Sequence, residues 1–158
     1  MADTVTGPTI LQQNDKRVVI KIVNQSDGSG LTTVFGDVSA LDAREDGTGE
    51  SSVKKVDVSA LNTNAQGETC SRVTIDQVWY DVGGLRAALE FDATSNVVAL
   101  VLGGSAAAGN VQGHMDFRSF GGIKNNAGSG ITGDIDLTTH GHTAHDHYTI
   151  VLELRKSY

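Results

Sequence analysis

Apolar and polar residues alternate with a period of two along much of the chain, most regularly between residues 113 and 158. Because successive side chains of a β-strand leave on opposite faces, this period predicts strands with one buried face and one solvated face. In the strand predicted to begin at Ile131, one face holds Ile131, Gly133, Ile135 and Leu137, and the other holds Thr132, Asp134, Asp136 and Thr138. In the last strand the buried face is predicted to consist of Tyr148, Ile150, Leu152 and Leu154.

Further strands are predicted over residues 17–24, 72–80, 85–92 and 97–102, and around Met115. The alternation within residues 72–80 breaks near Gln77, which predicts a β-bulge. Residues 97–102 are apolar on both faces and therefore predict a central strand. Trp79 lies in an alternating strand, where tryptophan is more often part of the core than of the surface.

The chain has 158 residues with 19 glycines and a single proline, which suits many tight turns between short strands. About eight to ten strands separated by turn signals predict an all-β fold, an antiparallel β-sandwich or jelly roll, because two sheets must cover each other's apolar faces. We expect one such domain over residues 16–158. Residues 1–15 are polar and irregular and are predicted to form an N-terminal arm.

The charge distribution argues against nucleic acid as a partner. The net charge is −7, and the densest basic runs are only Lys16–Arg17 and Lys54–Lys55, whereas phosphate binding needs clustered cations. Cys70 is the only cysteine, so we expect a small buried side chain and no disulfide within the chain. We expect no signal peptide, because residues 1–9 lack a basic region followed by an apolar one, and no membrane span, because the longest apolar run, residues 97–102, is too short. Synthesis in a cytoplasm follows from these expectations.

Four histidines in one window, His140, His142, His145 and His147, are the candidate metal ligands. Neutral imidazoles at this density can bind zinc, nickel or iron. The metal-binding jelly-roll enzymes called cupins follow His-x-His with a glutamate and a later histidine. Here Asp146 takes the glutamate's place, and too few residues remain for the later strand. An exposed, solvated turn or a turn at a subunit interface is the expected reading, with a structural or adventitious divalent metal as the alternative.

No other pattern predicts catalysis, and we expect neither an enzyme nor a cofactor. The glycine-rich residues 120–130 lack the Gly-Lys-Ser/Thr of a phosphate loop, which favours a flexible surface or interface loop. Asp134 and Asp136 share a strand face like a carboxylate pair, but no further acid or nucleophile is placed beside them. Trp79 and Tyr80 could stack a sugar, so a carbohydrate-binding module remains a second hypothesis.

Together with the opening pattern KRVVIKI…SDGSG…KVDVSAL, three segments give the chain a resemblance to small virion structural proteins of tailed bacteriophages. They read LEFDATSNVVALVL, GHMDFRSFGGIKNNAGSGITGDIDLTT and YTIVLELRK. The resemblance implies a β-sandwich that assembles on the virus particle, as a head decoration (cement) protein or as a neck, tail or baseplate component. It implies no catalytic residues, and the histidine-rich turn has no counterpart in it.

The resemblance also implies partners and a location. The protein is expected in the virion, bound to the major capsid protein or to other virion structural proteins, through residues 1–15 or 120–130. Such domains form closed homo-oligomers, and a trimer suits the local threefold points of an icosahedral shell. The remaining alternatives are an adhesion module that binds carbohydrate and a metal-dependent enzyme that uses the four histidines.

Overall fold

The computed structural model describes residues 8–25, 50–104, 109–141 and 146–158. In this part of the chain, two short 3-10 helices, Val58–Ala60 and Arg118–Phe120, accompany nine strands. The strands are β1 (Pro8–Gln13), β2 (Arg17–Gln25), β3 (Val53–Val56), β4 (Arg72–Gly83), β5 (Arg86–Phe91), β6 (Val97–Gly103), β7 (Asn110–Asp116), β8 (Ile135–His140) and β9 (His147–Ser157).

The strands form two antiparallel sheets. The five-stranded sheet has the order β1-β2-β9-β4-β7, and the four-stranded sheet has the order β3-β8-β5-β6. From β2 to β9 the chain changes sheet at every connection except the one between β5 and β6. This strand order is that of a jelly roll, in which two four-stranded sheets face each other and β1 extends one of them. The predicted fold class is confirmed.

Aliphatic side chains fill the space between the sheets. The five-stranded sheet contributes residues from β2, β4 and β9, and the four-stranded sheet contributes Val56 of β3 and residues from β5, β6 and β8. The predicted inward face of the last strand is confirmed, since Tyr148, Ile150, Leu152 and Leu154 are all buried. The remaining buried members from these strands are Val18, Ile20, Ile22, Val73, Ile75, Val78, Val82, Ala87, Leu89, Phe91, Leu102, Ile135 and Leu137.

The predicted bulge in β4 is present and decides the direction of Trp79. The register with β9 shifts between Ile75, which pairs with Leu154, and Gln77, which pairs with Glu153. Asp76 is therefore an extra residue on β4, and the side chains beyond it change faces relative to a regular strand. Ile75 and Val78 both point into the core, whereas Trp79 is on the outer face and 37% exposed. The expectation of a core tryptophan is wrong for this reason.

Two predicted strands differ from the structure. Residues 97–102 were expected in the centre of a sheet, but β6 is the edge of the four-stranded sheet, and Val98 and Val101 are each 54% exposed. The strand expected from Ile131 begins only at Ile135, and Ile131 is exposed. The expected solvated face of this strand is wrong as well, because Asp134, Asp136 and Thr138 are buried. Apolar content alone does not separate an edge strand from a central one.

The N-terminal residues also differ from expectation. Pro8–Gln13, predicted as part of an irregular arm, forms β1 and pairs with β2. Met1 to Gly7 lie outside the described residues. A proline at the first position of an edge strand costs no ladder hydrogen bond, which explains how Pro8 is accommodated. Cys70 is buried, and its burial raises the pKa of the thiol.

A buried polar cluster lies between the sheets near the start of β9. Glu50 accepts hydrogen bonds from Lys55 Nζ and from the Tyr148 hydroxyl, and Lys55 is 1% exposed. The backbone of Glu50 is tied to Thr139 of β8 by bonds of 2.8 and 2.9 Å. Burial, together with the charge of Glu50, raises the pKa of Tyr148. Buried charges are tolerated only when paired, and here Lys55 pairs with Glu50. Through Thr139 and Tyr148 the cluster also joins β8 and β9 to the segment before β3.

Replacing Leu152 and Leu11 by alanine compares the same substitution inside and outside the core. Leu152 is fully buried, and Leu11 is 53% exposed. We expect Leu152→Ala to lower the free energy of unfolding by about 2–5 kcal/mol, because it removes buried methyl groups and leaves a cavity. Leu11→Ala should change it by no more than about 0.5 kcal/mol. Urea unfolding of both variants provides the measurement, and equal losses would contradict the inward direction of Leu152.

Candidate functional site

The outer face of the five-stranded sheet carries two adjacent rows of side chains that cross β2, β9, β4 and β7. The register aligns the first row as Lys21, Val151, Trp79 and His114. It aligns the second row as Val23, Thr149, Asp81 and Gln112. Residues two apart on a strand share a face, so the rows are separated by roughly 6.8 Å. The first row is thus aromatic and apolar near β4, and the second is polar there.

Trp79 and His114 form a stacked pair on this face. Their ring centroids lie 4.8 Å apart, and the ring planes differ by 7°. They are direct partners across the β4–β7 pair, the position at which side chains on neighbouring strands come closest. Trp79 is consequently held in one orientation while part of its indole stays in contact with solvent.

A chain of hydrogen bonds fixes the position of the His114 ring. Arg17 Nη1 and Gln77 Nε2 donate to the two oxygens of Glu153, at 2.6 and 2.8 Å. Because the Gln77 amide nitrogen faces this carboxylate, its oxygen Oε1 faces His114 Nε2 at 2.9 Å. An amide oxygen only accepts, so His114 carries a proton on Nε2. Gln77 and Glu153 are both buried, and these bonds satisfy the hydrogen-bonding capacity of their side chains beneath the aromatic pair.

A depression of about 580 Å³ lies between the two rows and includes Tyr80 and Gly113. Trp79, His114 and Val151 form one wall, and Asp81, Gln112 and Thr149 form the other. The Tyr80 side chain is partly buried against the core. A Cβ at Gly113 would come within 2.6 Å of the Tyr80 hydroxyl. The absence of a side chain at Gly113 therefore allows the tyrosine to lie across β7.

Asp81 is the unusual residue of the polar wall. Within the described part of the chain, its buried Oδ1 has no hydrogen-bond partner. A buried polar atom without a partner costs free energy, and such atoms are few in folded proteins. No periodicity or motif in the sequence distinguishes this aspartate. Trp79, Asp81 and Gln112 come together only because of the β4 bulge and the β4–β7 register.

The histidines proposed as metal ligands are only partly described. His140 is the last residue of β8 and His147 the first of β9, so the two belong to different sheets. His147 lies against Gly83, where an added Cβ would meet its Cε1 and Asn110 Oδ1. His142 and His145 lie outside the described residues. Among the residues that are described, no three His, Cys, Asp or Glu side chains are grouped to hold a metal ion. The four-histidine metal site stays a prediction.

The carboxylates Asp134 and Asp136 have unlike surroundings. Asp134, directly before β8, accepts from Lys54 Nζ of β3 at 2.6 Å and from the backbone N–H of Val58 at 2.8 Å. Among the residues that the structure describes, Asp136 accepts a hydrogen bond from Asn96, at 3.2 Å. Burial, and then the charge of Asp92, raises the pKa of Asp136 to about 6. Asp134 therefore stabilises the fold by holding β3 and the residues after it next to the start of β8.

The glycine-rich segment 120–130 is attached to the sandwich at both ends. Ile123 and Ile75 exchange two backbone hydrogen bonds, of 2.8 and 3.0 Å, and Thr94 N–H donates to Ser129 at 3.1 Å. Arg155 also donates to the carbonyl of Gly121 at 2.7 Å. The predicted surface loop is thus held to the sandwich by hydrogen bonds near both of its ends. At its start, Phe120 is 65% exposed and makes a tilted contact with Phe117.

Comparison of the chain with protein-family models, with curated proteins and with solved structures gives no match. The helices in the described part of the chain are single turns, and none is long and apolar enough to span a bilayer.

The raised pKa of Asp136 predicts a pH-dependent stability. An aspartate in the unfolded chain has a pKa of about 3.9. Between about pH 4 and pH 6 the folded state therefore retains a proton on Asp136 that the unfolded state has released. Stability should therefore fall as the pH rises through this window. We expect Asp136→Asn to remove this fall, so that the variant gains stability relative to wild type between about pH 4 and pH 7.

Asp116→Asn is the matched control for this measurement. The hydrogen bonds from Arg118 lower the pKa of Asp116 to about 2. Its substitution should therefore leave a nearly constant difference from wild type between about pH 4 and pH 7. Urea unfolding at both pH values measures the two differences. A constant difference for Asp136→Asn would show that Asp136 does not titrate in this window.

Proposed function

We propose that this chain is a non-enzymatic structural protein of a tailed-bacteriophage virion, and specifically a head decoration protein that bridges capsid subunits. The proposal starts from the resemblance of the three sequence segments to such proteins. Neck, tail or baseplate location is the alternative within the same class. A jelly roll is compatible with this role, because the architecture is used in shells as well as in lectins and enzymes.

The observation that carries the proposal is the placement of exposed apolar side chains at two separate edges. Ile10 and Leu11 lie on β1, an edge of the five-stranded sheet, and Val98 and Val101 lie on β6, an edge of the other sheet. Strand β6 contacts β4 and β7, at the end of the five-stranded sheet opposite to β1. Phe120 adds a further exposed aromatic ring. A protein with apolar groups at separate edges can contact two neighbours at once.

Bridging would make attachment strong although each contact is small. When one molecule binds two neighbouring subunits, the second contact forms at a high effective concentration, so affinities multiply. A homo-oligomer, with a trimer at a local threefold point, would increase this effect. The net charge of −7 favours solubility before assembly and a partner surface with basic groups.

The test begins with particles purified from infected host cells. Quantitative mass spectrometry should find the protein in the virion at hundreds of copies if it decorates the shell, and at about a dozen or fewer if it belongs to the neck, by symmetry. Particles that lack it should lose their contents at lower temperature. Absence of the protein from purified particles would overturn the proposal.

The edge contacts can be tested with matched valine variants. Val98 lies on the β6 edge, and Val23 is similarly exposed but lies on the outer face of β2, in the other sheet. We expect Val98→Lys to weaken rebinding of purified protein to depleted particles at least about tenfold, which corresponds to about 1.4 kcal/mol. Val23→Lys should leave rebinding unchanged. The reverse result would show that the particle contacts the outer sheet face instead of the β6 edge.

A further inference from the structure

We propose that the depression between Trp79 and Asp81 is a binding site for a neutral saccharide. This inference goes beyond the structural role and does not depend on it. The site consists of Trp79, His114 and Val151 on one side and Asp81, Gln112 and Thr149 on the other. A sugar ring presents apolar C–H groups on its faces and hydroxyl groups around its rim, and the two walls match these two kinds of surface.

The aromatic wall supplies the contact for the sugar's C–H groups. Trp79 is exposed on a sheet face although tryptophan side chains gain most from burial. Its stacking on His114 at 4.8 Å, and the bonds that hold His114 through Gln77 and Glu153, restrict its orientation before any ligand arrives. A side chain that is already ordered loses little further entropy on binding, and this favours affinity.

The polar wall supplies hydrogen bonds for hydroxyl groups. Asp81 is an acceptor, and its buried Oδ1 is without a partner in the described part of the chain. The Gln112 amide and the Thr149 hydroxyl can each donate and accept. Because Oδ1 is buried, the Asp81 side chain would turn toward the depression when a sugar hydroxyl group donates to this oxygen, and the bond would satisfy the atom of the wall that the protein leaves unpaired. The free protein has therefore already lost the hydration of this atom, and binding would restore a hydrogen bond to it.

The set of donors and acceptors favours a saccharide over a cation. An ammonium group could contact the aromatic ring and the Asp81 carboxylate. It offers no acceptor, however, and would leave the donors of Gln112 and Thr149 unused. The hydroxyl groups of a sugar both donate and accept, so they suit all three polar side chains at once.

The chain contains a single tryptophan, so its intrinsic fluorescence reports on this site alone. We expect titration with at least one of four neutral oligosaccharides, maltotetraose, cellotetraose, mannotetraose and chitotetraose, to shift or quench the emission, with a Kd on the order of 1 mM. The same saccharide should perturb the amide NMR signals of Tyr80 and Gly113. A panel without any saturable change would overturn the proposal.

Two variants test the contributions of the two walls separately. Asp81→Asn keeps the shape of the side chain but replaces one acceptor oxygen with a donor, and it should weaken binding at least about tenfold. Trp79→Ala, followed by calorimetry or NMR, should abolish measurable binding. Phe120→Ala removes an exposed aromatic ring elsewhere and should leave the Kd unchanged.

Choline tests the competing ligand class. Saturable binding of choline, lost in Asp81→Asn and accompanied by no response to any of the saccharides, would assign the site to a cation and contradict the inference. Equal binding of a saccharide by wild type and by both site variants would place the saccharide elsewhere on the surface. Thermal unfolding of each variant confirms that it is folded before the titrations are compared.

Discussion

The pairing of β4 with β9 includes one more residue on β4 than on β9, and the directions of the side chains on both sides of the sheet depend on where that residue lies. Asp76 occupies the bulge, with its carboxylate bound to Arg155 at 3.0 Å and its carbonyl accepting from Phe117 N–H at 2.9 Å. Because of this extra residue, Ile75 and Val78 can both enter the core. The same shift directs Gln77, Trp79 and Asp81 outward, so core packing and the outer depression have one local cause.

The polar groups of the sandwich divide between holding the fold and facing outward. Lys55 with Glu50, and Lys54 with Asp134, connect β3 and the segments beside it to β8 and β9. Their pairing satisfies charges that would otherwise be costly to bury. On the outer face, Glu153 is held between Arg17 and Gln77, whereas the buried oxygen of Asp81 has no partner among the described residues. This contrast distinguishes a carboxylate that the fold uses from the one that we propose to bind a saccharide.

Much of the fold could be predicted from the sequence, because period-two alternation reports directly on burial. The inward face of β9 and the bulge near Gln77 were both predicted in this way. The position of a strand within a sheet could not be predicted in this way, since Val97–Gly103 has the apolar content of a central strand but lies at an edge. The outer depression could not be predicted either. Asp81 and Gln112 become neighbours through long-range register, and one extra residue in β4 reverses the direction of Trp79. For the histidine-rich turn, the metal site stays a prediction from the sequence, because His142 and His145 lie outside the described residues.

The β4 bulge places Trp79 on the outside of the sheet, and the fluorescence of this single tryptophan is the most direct measurement of its position. Acrylamide quenching of the folded protein should be substantial, and the emission maximum should lie between the values of a buried indole and of the unfolded chain. Strong protection from acrylamide, together with a blue-shifted maximum in the folded monomer, would place Trp79 in the core. That result would contradict the register of β4 and, with it, the existence of the depression.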